Sequence, residues 1–190
     1  MSRFPRLLTL FLLYLTAQPL FAADTVRVRM QTNVGDIVLE LDREKAPITV
    51  KNFLGYVESG FYEGTVFHRV IDGFMIQGGG YDEQLNKKDT GPAIRNEATN
   101  GLKNVRGSIA MARTGIIHSA TAQFFINVKD NAALDYNNPS PRGFGYAVFG
   151  KVVDGMQTVD RIRKSRTGPK GRFRSDVPRP AIVINKVSVE

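Results

Sequence analysis

The sequence contains no cysteine. A thiolate nucleophile, a zinc–thiolate centre and a disulfide framework are therefore excluded. It contains only two histidines, His68 and His118, and two histidines without cysteine make a transition-metal site improbable. Tryptophan is absent. No Gly-x-Ser-x-Gly elbow occurs, so a serine hydrolase has no support. The run Gly78-Gly79-Gly80 lacks the Lys-Ser/Thr ending of a phosphate-binding loop and reads instead as the place where a strand leaves its sheet. No repeat and no low-complexity segment interrupts the chain, and its 190 residues suit a single domain large enough to bury a core.

What is present begins at the N-terminus. Arg3 and Arg6 precede an apolar run from Leu7 to Leu15, and small residues at Ala22 and Ala23 precede the first acid, Asp24. The run falls well short of the ~20 residues that span a bilayer. A basic start, a short apolar centre and a small-residue end make a secretory signal, expected over residues 1–22 with the functional domain over 23–190. Cleavage after Ala22 places Leu20 where a smaller side chain is usual, so cleavage after Ala23 stays open. Export implies the periplasm in a cell with two membranes, and no membrane association once the signal is removed. The formal net charge is +8, and much of it lies between Arg161 and Arg179. This stretch reads as a solvated basic loop, not a nucleic-acid site, because Phe173 is its only aromatic. The Gly/Pro/Arg-rich part from Thr167 to Pro180 reads as one long surface loop.

Residues Val26 to Gln31 alternate apolar and polar, as do Ile37, Leu39 and Leu41 after a turn-like break, so the chain opens on a hairpin. Pro47 then starts a helical spacing through Val50, Phe53, Leu54 and Val57 that Gly60 ends. Short strand-like runs follow at 66–71, 75–78, 108–112, 123–128 and 147–152. A second helical face carries Met156, Val159 and Ile162, and 181–189 closes the chain as a strand. Such a pattern suits a barrel or a sandwich with helical caps, and periodicity does not choose between them.

Four blocks decide more: FHRVIDGFMIQGGG from Phe67, GSIAMA from Gly107, QFFINV from Gln123 and FGYAVFGKVVDGM from Phe144. In this order and spacing they resemble the cyclophilins, and SATAQFFINVKDNAALD from Ser119 resembles the bacterial branch. The resemblance runs from about Val26 to Val189. It implies a mainly β fold, a closed eight-stranded antiparallel barrel capped by two helices. It also implies peptidyl-prolyl cis-trans isomerisation without metal or organic cofactor, proline-containing unfolded or partly folded polypeptides as partners, and a monomer. By the same resemblance Arg69 is the catalytic residue. Phe74, Met75, Gln77, Ala112, Arg113, Gln123, Phe125, Leu134 and Tyr146 are substrate-binding. Ala133 departs from the family, which commonly has a bulky aromatic there. One wall of the pocket is thereby opened, and the insert Asn137-Asn138-Pro139-Ser140-Pro141 could lend a loop to it.

The residue types suit this chemistry. Amide resonance sets a barrier near 20 kcal/mol, and no bond needs breaking, so no nucleophile is needed. In the twisted state the prolyl nitrogen regains a lone pair, and a fixed guanidinium can bond to it only then. Register provides a geometric test. A two-residue Asp72-Gly73 turn would set Arg69 opposite Ile76. A three-residue loop, Asp72-Gly73-Phe74, sets Arg69 opposite Gln77 and Ile71 opposite Met75, and only this register gathers Arg69, Met75 and Gln77 on one face. Alternation from Arg69 sends His68 to the other face as a structural histidine, and Phe124 into the core. A binding module with incidental catalysis is the main rival, favoured by Ala133.

Overall fold

The computed structural model describes residues 25–190; the secretory signal expected over 1–22 lies outside the described residues. The alternating N-terminal runs form β1 (Thr25–Thr32) and β2 (Gly35–Asp42), paired as a hairpin with Met30 opposite Ile37 and Val26 opposite Leu41. Helix α1 (Pro47–Glu58) follows, with proline in its first turn and Val50, Phe53, Leu54 and Val57 buried. Next come β3 (Thr65–Ile71), β4 (Met75–Asp82), β5 (Ser108–Met111) and β6 (Phe124–Asn127). A short 3-10 turn (Ala132–Leu134) leads to β7 (Val148–Asp154) and α2 (Met156–Arg163). The chain ends with β8 (Thr167–Lys170), β9 (Phe173–Pro178) and β10 (Val183–Val189).

Eight strands close into an antiparallel barrel in the order β1-β10-β3-β4-β6-β5-β7-β2, which leaves no free edge. Alternation fills its interior. Val28, Met30, Ile37, Leu39, Leu41, Phe67, Ile76, Ile109, Met111, Phe124, Ile126 and Phe149 form one cluster, joined by Val50, Phe53 and Leu54 of α1 and by Val159 and Ile162 of α2. Phe53 carries the aromatic centre, its ring 5.1 Å from Tyr62, 5.2 Å from Phe149 and 5.8 Å edge-on to Phe124. Because the interior takes one residue of every pair, the others face outward. Met75, Ala110, Phe125 and Val148 make a separate apolar patch on the outer wall.

Two parts of the sequence reading are corrected here. Residues 167–180 are not one long loop: β8 and β9 pair as a two-stranded hairpin outside the barrel, with Phe173 and Val177 packed on Tyr81, Val66 and Leu85. The glycine run does not take β4 away from the barrel. Pairing to β6 stops at Gly78, but pairing to β3 resumes at Asp82 after register shifts. Gly79 has φ +78°, and a Cβ there would lie 2.7 Å from the Phe124 ring, so the bend is open only to glycine.

Candidate active site

The loop between β3 and β4 is the three-residue one. Arg69 lies opposite Gln77 and Ile71 opposite Met75. Pairing then carries the row onward, because Gln77 faces Phe125 and Phe125 faces Ala110. Paired residues share a face, so Arg69, Gln77, Phe125 and Ala110 run across four strands on the outer wall. Above them opens a cleft of about 290 Å³ lined by Arg69, Phe74, Met75, Gln77, Ala112, Arg113, Phe125, Leu134 and Tyr146. Of the residues singled out in the sequence, only Gln123 does not line it. Gln123 is joined to it through Gln77: its Oε1 accepts a hydrogen bond from Gln77 Nε2 at 2.9 Å. The close approach of Gly80 permits this, since a Cβ there would sit 2.4 Å from Gln123 Cγ. A second recess of about 230 Å³, on the outside of β2, β5 and β7, is lined by Leu102, Val148 and a Lys151–Glu40 ion pair of 3.1 Å and holds none of these residues.

The cationic and apolar halves of the cleft are held differently. Arg69 is two-fifths exposed, and its Nε lies 3.9 Å from Asp176 Oδ2 on β9. This loose ion pair steadies the guanidinium from the side of the hairpin. Nothing in the sequence signalled Asp176; its left-handed backbone (φ +68°) sets its orientation. Arg113 is held by three backbone carbonyls. Its Nε donates to the Gly145 carbonyl at 2.8 Å, Nη1 to Thr114 at 2.9 Å and Nη2 to Pro141 at 2.7 Å. Its guanidinium carbon stands 4.8 Å from the centre of the Tyr146 ring, which meets Phe125 edge-on at 5.5 Å. The insert at 137–141 therefore reaches the cleft through Arg113. It does not line the cleft itself.

A chain of buried amides supports the apolar half. Asn131 Nδ2 donates to the Phe74 carbonyl at 2.8 Å and to Asn127 Oδ1 at 2.7 Å. Asn127 Nδ2 donates in turn to Asn104 Oδ1 at 3.1 Å and Ser108 Oγ at 2.9 Å. Asn104 Nδ2 reaches the Leu134 carbonyl at 3.1 Å. Two cleft residues that are distant in sequence, Phe74 and Leu134, are thus fixed to one another by hydrogen bonds beneath the floor. At the other end of the β3–β4 loop, Asp72 holds Arg163 of α2 at 2.6 Å, and this guanidinium keeps the Asp72 carboxyl below its usual range.

His68 is no base. A register shift between Phe67 and Arg69 interrupts the alternation, and His68 packs against Tyr81 at 4.6 Å and Phe173 at 5.5 Å, under the β8–β9 hairpin and away from the cleft. It is buried, and burial lowers its pKa from 6.5 to about 4, with the Val66 carbonyl opposing and the Arg69 charge adding. The folded state thus refuses a proton that the unfolded chain accepts below pH 6.5. Stability should therefore fall as pH drops from 6.5 to 4, by roughly 3 kcal/mol in all from this group. In urea unfolding at pH 7.5 and 4.5, His68→Phe should lose less stability than the native chain by about that amount; parallel losses would contradict the assignment. His118 accepts a hydrogen bond from the Asn96 amide at 3.1 Å and serves the loop. Among the described residues no three His, Asp or Glu converge as for a metal.

Comparison with known proteins gives the chain's relatives. Residues 27–189 match the family of cyclophilin type peptidyl-prolyl cis-trans isomerase/CLD. The chain is 54% identical over 179 residues to peptidyl-prolyl cis-trans isomerase A of Dickeya dadantii, covering 93% of this chain and 92% of that one. It is 55% identical over 162 residues to peptidyl-prolyl cis-trans isomerase B of Escherichia coli, covering 85% and 98%. Among solved structures, a cyclophilin type peptidyl-prolyl cis-trans isomerase of Cryptosporidium parvum superposes with a TM-score of 0.71 at 29% identity, covering 87% of this chain and 98% of that one. The same protein has also been crystallised in the presence of the dipeptide Ala-Pro.

Proposed function

Because the chain belongs to the cyclophilin-type peptidyl-prolyl cis-trans isomerase family, and is such an isomerase, we propose that the cleft on its outer wall is where the bond before proline is turned, with Arg69 as the catalytic group. One observation carries this reading most: Arg69 and the apolar seat of Phe74, Met75, Phe125 and Leu134 border one cleft of about 290 Å³. The seat takes the proline ring and holds one side of the bond still. Gln77, steadied by Gln123, and the strand end at Ala112 take the peptide backbone. Arg113 and Tyr146 close the far wall.

Arg69 acts on the twisted amide. As conjugation is lost the prolyl nitrogen regains its lone pair, and a guanidinium N–H donates to it. In the planar ground state that nitrogen offers no such acceptor, so the interaction favours the transition state alone. One donor placed in advance lowers such a barrier by roughly 3–4 kcal/mol, and fixing the ring and the carbonyls supplies more. Activity on a short Xaa-Pro peptide tests the reading. Enzyme should accelerate the cis-to-trans change far beyond the solvent rate, and equality with solvent would sink it.

We further propose that the chain is exported through its N-terminal signal and acts on proline-containing segments of exported proteins as they fold. The support is the arrangement of Arg3, Arg6 and the apolar run Leu7 to Leu15 before Ala22 and Ala23. Among the described residues no helix is long and apolar enough to cross a membrane. Intact mass of the protein recovered from a bacterial periplasm should correspond to a chain starting at Ala23 or Asp24; a full-length mass in the cytosol would refute export.

A further inference from the structure

Beyond the cleft the wall that a bulky residue 133 would close stands open. The gap is a groove of about 540 Å³, lined by Ala133, Leu134, Pro141, Arg142 and Tyr146 together with the segment Arg113-Thr114-Gly115. Arg113, Leu134 and Tyr146 line both this groove and the proline cleft. The two are therefore one continuous surface, and a polypeptide crossing the cleft passes over their shared rim.

The charges in the groove are of one sign. Arg113 donates to three carbonyl oxygens, of Gly145, Thr114 and Pro141, and among the described residues to no carboxylate. Its position is fixed and its charge is not neutralised. Arg142, which follows the Pro141 carbonyl that Arg113 holds, is exposed, and among the described residues no Asp or Glu lines the groove. The nearest acid along the chain, Asp135, lines a neighbouring recess that Ala133 and Arg142 also border, and there it is already engaged, accepting from the Asn104 amide at 2.8 Å and pairing with Lys103 at 3.7 Å. Two guanidiniums facing a void with apolar sides suit a side chain with an apolar stem and an anionic head.

Resting on the isomerase reading, we propose that this groove is a specificity subsite for an acidic residue of the substrate, aspartate or glutamate within two positions of the proline, and that Arg142 supplies the mobile charge that meets it. Ala133 provides the room, Arg113 sets the potential, and Arg142 closes over the carboxylate. The residue that directly follows the insert, Arg142, thus supplies a selectivity element and leaves the reacting bond to Arg69.

The test uses acetylated, amidated peptides around one central proline, so that no terminal carboxylate competes. Glutamate and glutamine are compared one or two residues before and after the proline. For each pair, kcat/KM is measured together with Kd from NMR titration. At one or more positions glutamate should be preferred about 2- to 5-fold, the range of an exposed guanidinium–carboxylate pair. Arg142→Ala should bring that ratio near one, Arg142→Lys should restore most of it, and 1 M salt should erase it. Lys186→Ala, which removes an exposed charge on β10, should leave the ratio as it was. That control separates the subsite from the general attraction of a basic protein. Equal handling of glutamate and glutamine at all four positions would overturn the proposal, and so would a preference that survives Arg142→Ala. Should no peptide be turned over, the isomerase reading falls, and the Kd ratios still decide the subsite; no binding at all would count against both.

Discussion

Replacing Arg69 by alanine should lower kcat/KM on an Xaa-Pro peptide by 100- to 1000-fold and leave the protein folded. The magnitude is that of one preorganised donor, about 3–4 kcal/mol at 1.36 kcal/mol for each factor of ten. The fold should survive because Arg69 is two-fifths exposed and its only ion pair among the described residues is the 3.9 Å contact with Asp176, which at that distance and exposure adds little stability. Arg69→Lys should recover only a small part of the activity. An ammonium keeps the charge but loses the planar fork that can point one N–H at the nitrogen while another holds its position. Circular dichroism and thermal midpoint would confirm the fold, and a protease-coupled or NMR exchange assay would give the rate. Full activity in Arg69→Lys would mean that charge alone is sufficient.

The second large effect concerns the amide chain under the cleft. Asn127 is fully buried, and its amide joins Asn131, Asn104 and Ser108. Asn127→Ala removes one member and strands up to three polar partners away from water. Each stranded group costs ~1–3 kcal/mol, so unfolding free energy should drop by roughly 3 kcal/mol or more. Activity should suffer as well in the molecules that remain folded. Asn131, released from Asn127, holds the Phe74 carbonyl less firmly, and the proline seat loses its link to Leu134. Urea unfolding gives the first number and KM the second, since a loosened seat weakens binding before it alters the barrier. A variant as stable as the native chain would show that the chain of amides is replaceable.

Much of the site was legible because it lies on regular strands. The spacing of Arg69, Met75 and Gln77 around Asp72-Gly73-Phe74 admitted two hairpin registers, and only one placed them on a common face; the structure has that one. Phe124 and Phe125 divide between interior and outer wall, as alternation requires. What the sequence hid lies where the backbone departs from regularity. His68 was sent to the wrong surroundings because the register shift between Phe67 and Arg69 has no signature in residue type. The β8–β9 hairpin was missed because its strands are largely exposed and read TGPK and FRSDVP. With so little buried, no apolar alternation marks them. Asp176 belongs to that hairpin and was missed with it. The bonds of Arg113 run to backbone carbonyls of loops 28 and 32 residues away, and contacts to backbone leave no trace in the identity of the acceptor residues.

The central claim is that Arg69 acts on the twisted amide and not on the bound ground state, and NMR line-shape analysis of a single Xaa-Pro peptide tests it by separating the two. For native protein and Arg69→Ala it yields both Kd and the cis–trans exchange rate on the enzyme. The account predicts that the exchange rate falls by at least 100-fold while Kd changes by less than about 10-fold. A matching loss in Kd with the bound exchange rate intact would contradict it, and would make Arg69 a residue that holds the substrate without turning it.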